Sequence, residues 1–175
     1  HHFDHTGGNL DLQKKYSVKI VGSKKDEKRI PGINIKLSDN ENFKLGSIDF
    51  KISLIPGHTS GHIFFYAKRE KIIFTGDTLF SLGCGKVFEG THAEMLSSLN
   101  LIKKLPIETK IYCGHEYTQK NLDFCIKYEA KNDRLDEKRK WISKKLSKKE
   151  PTIPVTIEEE LNTNIFLRCD VLAVK

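Results

Sequence analysis

The sequence predicts a mixed α/β body over residues 1–114 followed by a helical part over 115–175. Two observations carry this. Short β-rich runs separated by turn signals fill the first two thirds of the chain, and from Tyr117 onward the pattern turns helical with no strand signal. A third adds function: histidines and a carboxylate fall just past the β-rich runs, where a rigid scaffold displays chemistry. At 175 residues the chain suffices for one domain and a smaller appendage.

Residues 7–15 read as a short helix. Strand-like runs follow at Ser17–Val21, Ile33–Leu37, Phe43–Leu45 and Ile48–Ile55, with Ser23–Arg29 as a charged connector. Ile63–Ala67 and Ile72–Thr75 flank Lys68-Arg69-Glu70 and predict a hairpin. Residues 92–104 predict a helix, because Thr91 and Glu94 form a capping box and Met95, Leu99 and Ile102 share a face. Ile111–Cys113 is a further short strand. Tyr117–Ala130 and Arg134–Leu146 read as helices. Pro151 and Pro154 interrupt the pattern, and Thr156 with Glu159 starts a last short helix.

Composition narrows the classes. Apolar content of 38%, with ten Phe, supports a core, while 30% charged residues and a mean hydropathy of −0.45 describe a water-soluble chain. No apolar run approaches the ~20 residues that a membrane span needs. The net charge is +7, yet nine Lys/Arg gather in Lys131–Lys149, where Leu135, Ile142 and Leu146 recur at helical spacing. That is a solvated helix face, not a nucleic-acid reader. The positive field favours a small anionic substrate. None of the four cysteines forms C-x-x-C, which points to reduced thiols and a cytoplasmic setting. Cys84, between two glycines, reads as a packing residue.

The opening His1-His2-Phe3-Asp4-His5 has the form of the tail of a His-x-His-x-Asp-His motif whose first histidine would precede residue 1. His58 in Gly-His-Thr-Ser-Gly-His, Asp77 in Thr-Gly-Asp-Thr and His115 in Gly-His-Glu-Tyr complete a metal-competent set. Zinc takes imidazole nitrogens and carboxylate oxygens, and a carboxylate can bridge two ions through its two oxygens. The set divides accordingly. His2 and His58, together with the histidine that would precede residue 1, would hold one ion, Asp4, His5 and His115 a second, and Asp77 would bridge, with a tight turn at Asp4-His5 aiming those two side chains. Single histidines are more often structural, and His62 and His92 are read so.

These fragments resemble the metallo-β-lactamase superfamily. Gly83-Cys84-Gly85-Lys86, the run Tyr112–Thr118 with Asn121-Leu122, and Glu150-Pro151-Thr152-Ile153-Pro154 narrow the resemblance to the glyoxalase II (hydroxyacylglutathione hydrolase) family. The resemblance implies an αββα sandwich, here lacking its N-terminal strands, and a helical C-terminal domain that helps hold substrate. The expectation is therefore a portion of a longer protein. It implies two divalent ions, zinc foremost with iron or manganese acceptable, and hydrolysis of the thioester S-D-lactoylglutathione by a hydroxide shared between them. Asp77, His115 and Asp4 would be the catalytic ligands. Lys86 and Tyr117 would contact glutathione, and Arg168 would bind its glycine carboxylate. Phe88 stands where the family commonly has tyrosine, and no lysine follows Arg168 shortly after, with Asp170 in that stretch instead. Expected partners are a small glutathione thioester, with no nucleic acid and no membrane, for a monomer. The alternatives are a mononuclear-iron enzyme like the persulfide dioxygenases, or a non-catalytic thiol-conjugate binder. A β-lactamase has no use for the long helical tail.

Overall fold

A computed structural model describes residues 1–129, 131–172 and 174. Its frame is a six-stranded sheet in the order β10-β9-β6-β5-β4-β3. The strands are β3 (Asn42–Leu45), β4 (Ile48–Leu54), β5 (Ile63–Ala67), β6 (Ile72–Gly76), β9 (Lys110–Cys113) and β10 (Val155–Thr156). Neighbours are antiparallel except β6 and β9, which run parallel. Between those two the chain makes a small hairpin, β7 (Leu79–Phe80) with β8 (Gly83–Cys84), and the crossover helix α3 (His92–Lys103).

The period of two along β5 sorts the core into layers. Phe64 and Tyr66 face Ile73, Ile111 and the α3 residues Met95, Leu99 and Ile102. Ala67 and the partly buried Phe65 face the other way, against Phe50, Ile52 and Leu37. On that second face lies a parallel pair, β1 (Ile20–Ser23) and β2 (Ile33–Leu37). Pair, sheet and helix are thus stacked layers. Each fully buried Ile or Leu contributes roughly 1.5–3 kcal/mol. The second face is incompletely covered: Phe74, stacked obliquely 5.5 Å from Tyr112, is 43% exposed.

The remaining helices are α1 (Phe3–Thr6), α2 (Asn9–Tyr16), α4 (Thr118–Tyr128), α5 (Asp133–Ser147) and α6 (Ile157–Thr163). The predicted hairpin, both capping boxes and the helix over 92–104 are present with shifts of a residue or two at their ends. Other expectations need correction. The tight turn expected at Asp4-His5 is a full helical turn, α1. The helix expected over 7–15 begins at Asn9. Ser17 takes a left-handed conformation (φ 53°) that closes α2, so the strand expected at Ser17–Val21 starts only at Ile20. The part after residue 114 is not purely helical: β10 pairs with β9, and Val155, Ile157 and Leu167 enter the main core. The end of the helix expected to reach Ala130 lies outside the described residues. Lys138, read as part of a solvated face, is buried, its Nζ 4.2 Å from the Trp141 ring centre and 3.0 Å from Glu159 Oε1. Among the described residues no helix is long and apolar enough to cross a membrane.

Candidate metal centre

Strand direction explains why distant residues meet. β4 and β6 are both antiparallel to β5, and β9 is parallel to β6, so all three end at the same edge of the sheet. His58 lies four residues beyond β4, Asp77 directly after β6, and His115 two residues after β9. His2 sits in extended backbone (φ −63°, ψ 150°) immediately before α1, which carries Asp4 and His5 to the same place.

Asp77 Oδ2 is the centre of the arrangement. It lies 3.2 Å from His5 Nε2, 3.3 Å from His115 Nε2 and 3.5 Å from His58 Nε2. His58 Nε2 is 3.3 Å from His2 Nδ1, forming one group. Asp4 Oδ2 is 3.2 Å from His115 Nε2 and 3.7 Å from His5 Nε2, forming the other. Ligand atoms of Asp4, His5 and His115 all lie within 4.8 Å of one another, the geometry of a metal-competent cluster. All six residues chosen from the sequence are therefore brought together around one carboxylate.

The surroundings aim these side chains. His58 Nδ1–H donates to Lys86 O at 2.7 Å, which leaves Nε2 with its lone pair toward Asp77. His62 is not part of the cluster. Its Nε2 accepts the Asp77 backbone N–H at 3.0 Å, and burial pushes its imidazole down to about 4, so it stays neutral and holds the loop. Gly76 (φ +49°) is needed there, since a Cβ would come 2.5 Å from His62 Cε1. Gly114 is needed for close approach: a Cβ would lie 2.3 Å from Asp77 Oδ1.

An outer network was not legible in the sequence. His1 Nδ1 is 3.0 Å from Asp26 Oδ2 and its Nε2 is 3.3 Å from Glu89 Oε1, while Arg29 pairs with both carboxylates. The Arg29 guanidinium, with the Ser60 N–H, holds the Glu89 carboxyl down at about 2. Glu116, next to His115, accepts from Thr152 N–H (2.5 Å) and Thr152 Oγ1 (2.6 Å), tying the His115 loop to the segment before β10. The signal available was acidic and basic residues flanking the motifs. Apart from the local Asp26–Arg29 pair, their partners lie 25 to 88 residues away.

The residues expected to touch substrate are distributed as follows. Phe88 packs edge-on to His58 and His2, with ring centres 5.2 and 5.8 Å apart, and Lys86 Nζ sits 5.1 Å from the Phe88 ring centre. Tyr117 stacks on His115 at 5.0 Å and is 45% exposed. Arg168 makes a bidentate pair with the buried carboxylate of Glu129, Nη2 to Oε1 at 2.7 Å. Its charge is already engaged within the protein.

The donors suit divalent ions, and Asp4, His5 and His115 form one group that could hold such an ion. Imidazole nitrogens and carboxylate oxygens suit zinc, iron and manganese. Asp77 Oδ1 is a buried acceptor with no hydrogen-bond partner among the described residues, as a carboxylate reserved for a cation requires. His2 and His58 would hold one ion and Asp4, His5 and His115 the other, with Asp77 between.

Comparison with known proteins agrees with this geometry. Residues 1–115 match the family described as metallo-beta-lactamase superfamily, and residues 116–175 match that described as hydroxyacylglutathione hydrolase C-terminus. A hydroxyacylglutathione hydrolase of Pelagibacter ubique is 55% identical over 168 residues, covering 96% of this chain and 70% of the relative. One from Methylococcus capsulatus is 45% identical over 168 residues, covering 96% of this chain and 66% of the relative. The chain thus spans about two thirds of the length of these relatives. Among solved structures, BLEG-1 B3 metallo-beta-lactamase superposes with a TM-score of 0.68 at 22% identity, covering 95% of this chain and 73% of that one. ETHE1 from Myxococcus xanthus gives 0.65 at 23%, covering 93% and 57%. At such identities the last two report the fold alone.

Proposed function

The chain belongs to the hydroxyacylglutathione hydrolase family of the metallo-beta-lactamase superfamily, and from that premise we propose that it hydrolyses S-D-lactoylglutathione to D-lactate and glutathione. The observation that carries the reading is the convergence of His5, His58 and His115 on Asp77, with His2 against His58 and Asp4 against His5 and His115. Two divalent ions held there, zinc foremost, would supply Lewis acidity and water activation near neutral pH. The protein's own part is to fix the ligands and orient the thioester. The Lys86 carbonyl sets the His58 tautomer, and the His62 imidazole sets the Asp77 backbone. The Lys86 ammonium and the faces of Phe88 and Tyr117 border the ligand cluster and would position the glutathione moiety. Phe88 offers a wall without a hydroxyl, so contact with the carrier there is apolar. The leaving group is a thiolate, stable without a proton, so the site needs no strong general acid. Arg168 would meet the glycine carboxylate only by sharing its guanidinium with Glu129. We place the enzyme as a monomer in a reducing, cytoplasmic setting, consistent with its free cysteines.

The test is thioester cleavage followed by thiol release, with metal content and oxygen uptake measured on the same sample. Turnover of S-D-lactoylglutathione with two metal equivalents and no oxygen uptake is expected. One iron per chain, oxygen consumption and no thioester cleavage would overturn the reading.

A further inference from the structure

The hairpin β7–β8 links the two sides of the site. It leaves Asp77 at one end and returns through Gly85 to Lys86 at the other. Gly85 N–H donates to Thr78 O at 3.1 Å, and Lys86 O receives His58 Nδ1–H. The Phe80 ring on this hairpin packs 6.2 Å from the His115 ring and 5.4 Å from that of Tyr117. A shift of the hairpin therefore moves the central carboxylate, a histidine tether and the Lys86–Phe88 rim together.

Its tip is held from outside the sheet. Leu82 occupies the left-handed region (φ 62°) without being glycine, a conformation that needs external support. That support comes from the C-terminal helices. Asn121 of α4 donates to Ser81 O (2.9 Å), Cys125 Sγ approaches Leu82 O (3.2 Å), and Asn164 Nδ2 lies 3.3 Å from Phe80 O and 3.0 Å from Gly83 O. Glu160 of α6, fully buried, takes the Leu82 N–H on Oε2 at 2.8 Å and the Asn164 Nδ2–H on the same oxygen at 2.8 Å. Its Oε1 is buried without a partner among the described residues.

We propose that Glu160 is a positioning residue: a buried acceptor through which the C-terminal segment sets the β7–β8 hairpin, and with it Asp77 and Lys86. The inference rests on the hydrolase reading for its kinetic readout. Both donors fall on one oxygen, so the role asks for an acceptor and not for a charge. Burial agrees, pushing the carboxyl up to about 7 despite the Asn164 and Leu82 hydrogen bonds and nearby Lys138, with Glu159 alongside on α6. The thiols of Cys125 and Cys113, on α4 and β9, lie within the field of the same carboxylate and are themselves raised by burial, so they stay neutral.

Wild-type turnover of S-D-lactoylglutathione is read first and tests the hydrolase reading alone. Glu160→Gln and Glu160→Leu are then compared with wild type on kcat and KM per folded, metal-loaded molecule. Zinc affinity by chelator competition, which needs no turnover, is measured in parallel. Glu160→Gln keeps the acceptor and should stay within about twofold on every measure. Glu160→Leu keeps the volume and loses the acceptor; kcat/KM and zinc affinity should each fall about tenfold or more. Should Glu160→Leu not fold, Asn121→Ala removes only the Ser81 O donor and should move both readouts the same way. A loss by Glu160→Gln equal to that of Glu160→Leu would overturn the acceptor role. Unchanged kinetics and zinc affinity in Glu160→Leu, or in Asn121→Ala as its replacement, would overturn the positioning role.

Discussion

Asp77 and Arg168 show what a residue type discloses by itself. Asp77 is a buried aspartate with one oxygen against three imidazoles and the other without a partner among the described residues, the arrangement expected of a carboxylate that would face cations. Asp77→Ala should weaken zinc binding by at least about 100-fold and abolish turnover, whereas loss of an outer-network partner costs only about 10–100-fold. Chelator competition and kinetics on one preparation would check both; wild-type rates in Asp77→Ala would exclude a bridging role. The six ligand candidates were legible because histidine and aspartate at such spacings have few other uses. The partner of Arg168 was not legible. Glu129 lies 39 residues away, and only the packing of the α4 end against the segment after α6 joins them. The arginine foreseen as a carboxylate ligand already has a carboxylate. Removing it strands a buried charge, so Arg168→Ala should lower stability by about 3–5 kcal/mol in urea unfolding. A rise in KM with unchanged stability would instead mark it as a substrate contact only.

At the scale of elements, legibility follows the length of the signal. The capping box Thr91–Glu94 is local and complete: Thr91 Oγ1 takes the Glu94 N–H at 3.1 Å, and Glu94 Oε2 takes the Thr91 N–H at 2.8 Å. It starts the helix whose Met95 packs against Gly57, on the loop that delivers His58. Thr91→Ala should cost about 1 kcal/mol of stability and leave the thioesterase KM unchanged, read by urea titration and initial rates. A loss below a few tenths would show that α3 is held by its apolar face alone. By contrast α1 has one turn and β10 has two residues, and neither offers a period to read. α1 carries Asp4 and His5 toward His115 and Asp77, while His2, just before it, lies against His58. β10 exists because β9 would otherwise be a bare edge.

For the whole molecule, the sheet with helices was legible and the merging of its two parts was not. Composition change near residue 115 suggests separate units, yet Val155, Ile157 and Leu167 complete the main core and Glu160 reaches the hairpin beside the site. One buried carboxyl at that junction should then imprint its titration on the stability of the entire chain. Glu160 stands at about 7 in the folded protein against an ordinary 4.5. Below pH 4.5 both states hold the proton, and the contribution is fully present. Between pH 4.5 and about 7 the unfolded chain releases the proton while the folded one keeps it, so stability falls as pH rises, and above pH 7 it levels. Glu89, held at about 2 chiefly by Arg29, acts oppositely: its contribution is present above pH 4.5 and is lost as pH falls toward 2. The two windows do not overlap, which lets them be separated. Glu160→Gln carries no titrating proton at that site, so the wild-type-minus-variant difference in unfolding free energy isolates Glu160. That difference should decline by roughly 3 kcal/mol from pH 4.5 to pH 7, because holding one proton across each pH step of that window is worth about 1.4 kcal/mol. Urea titrations of metal-free protein at half-unit intervals would trace it, and a flat difference across that window would mean that Glu160 ionises in the folded state as it does in the unfolded chain.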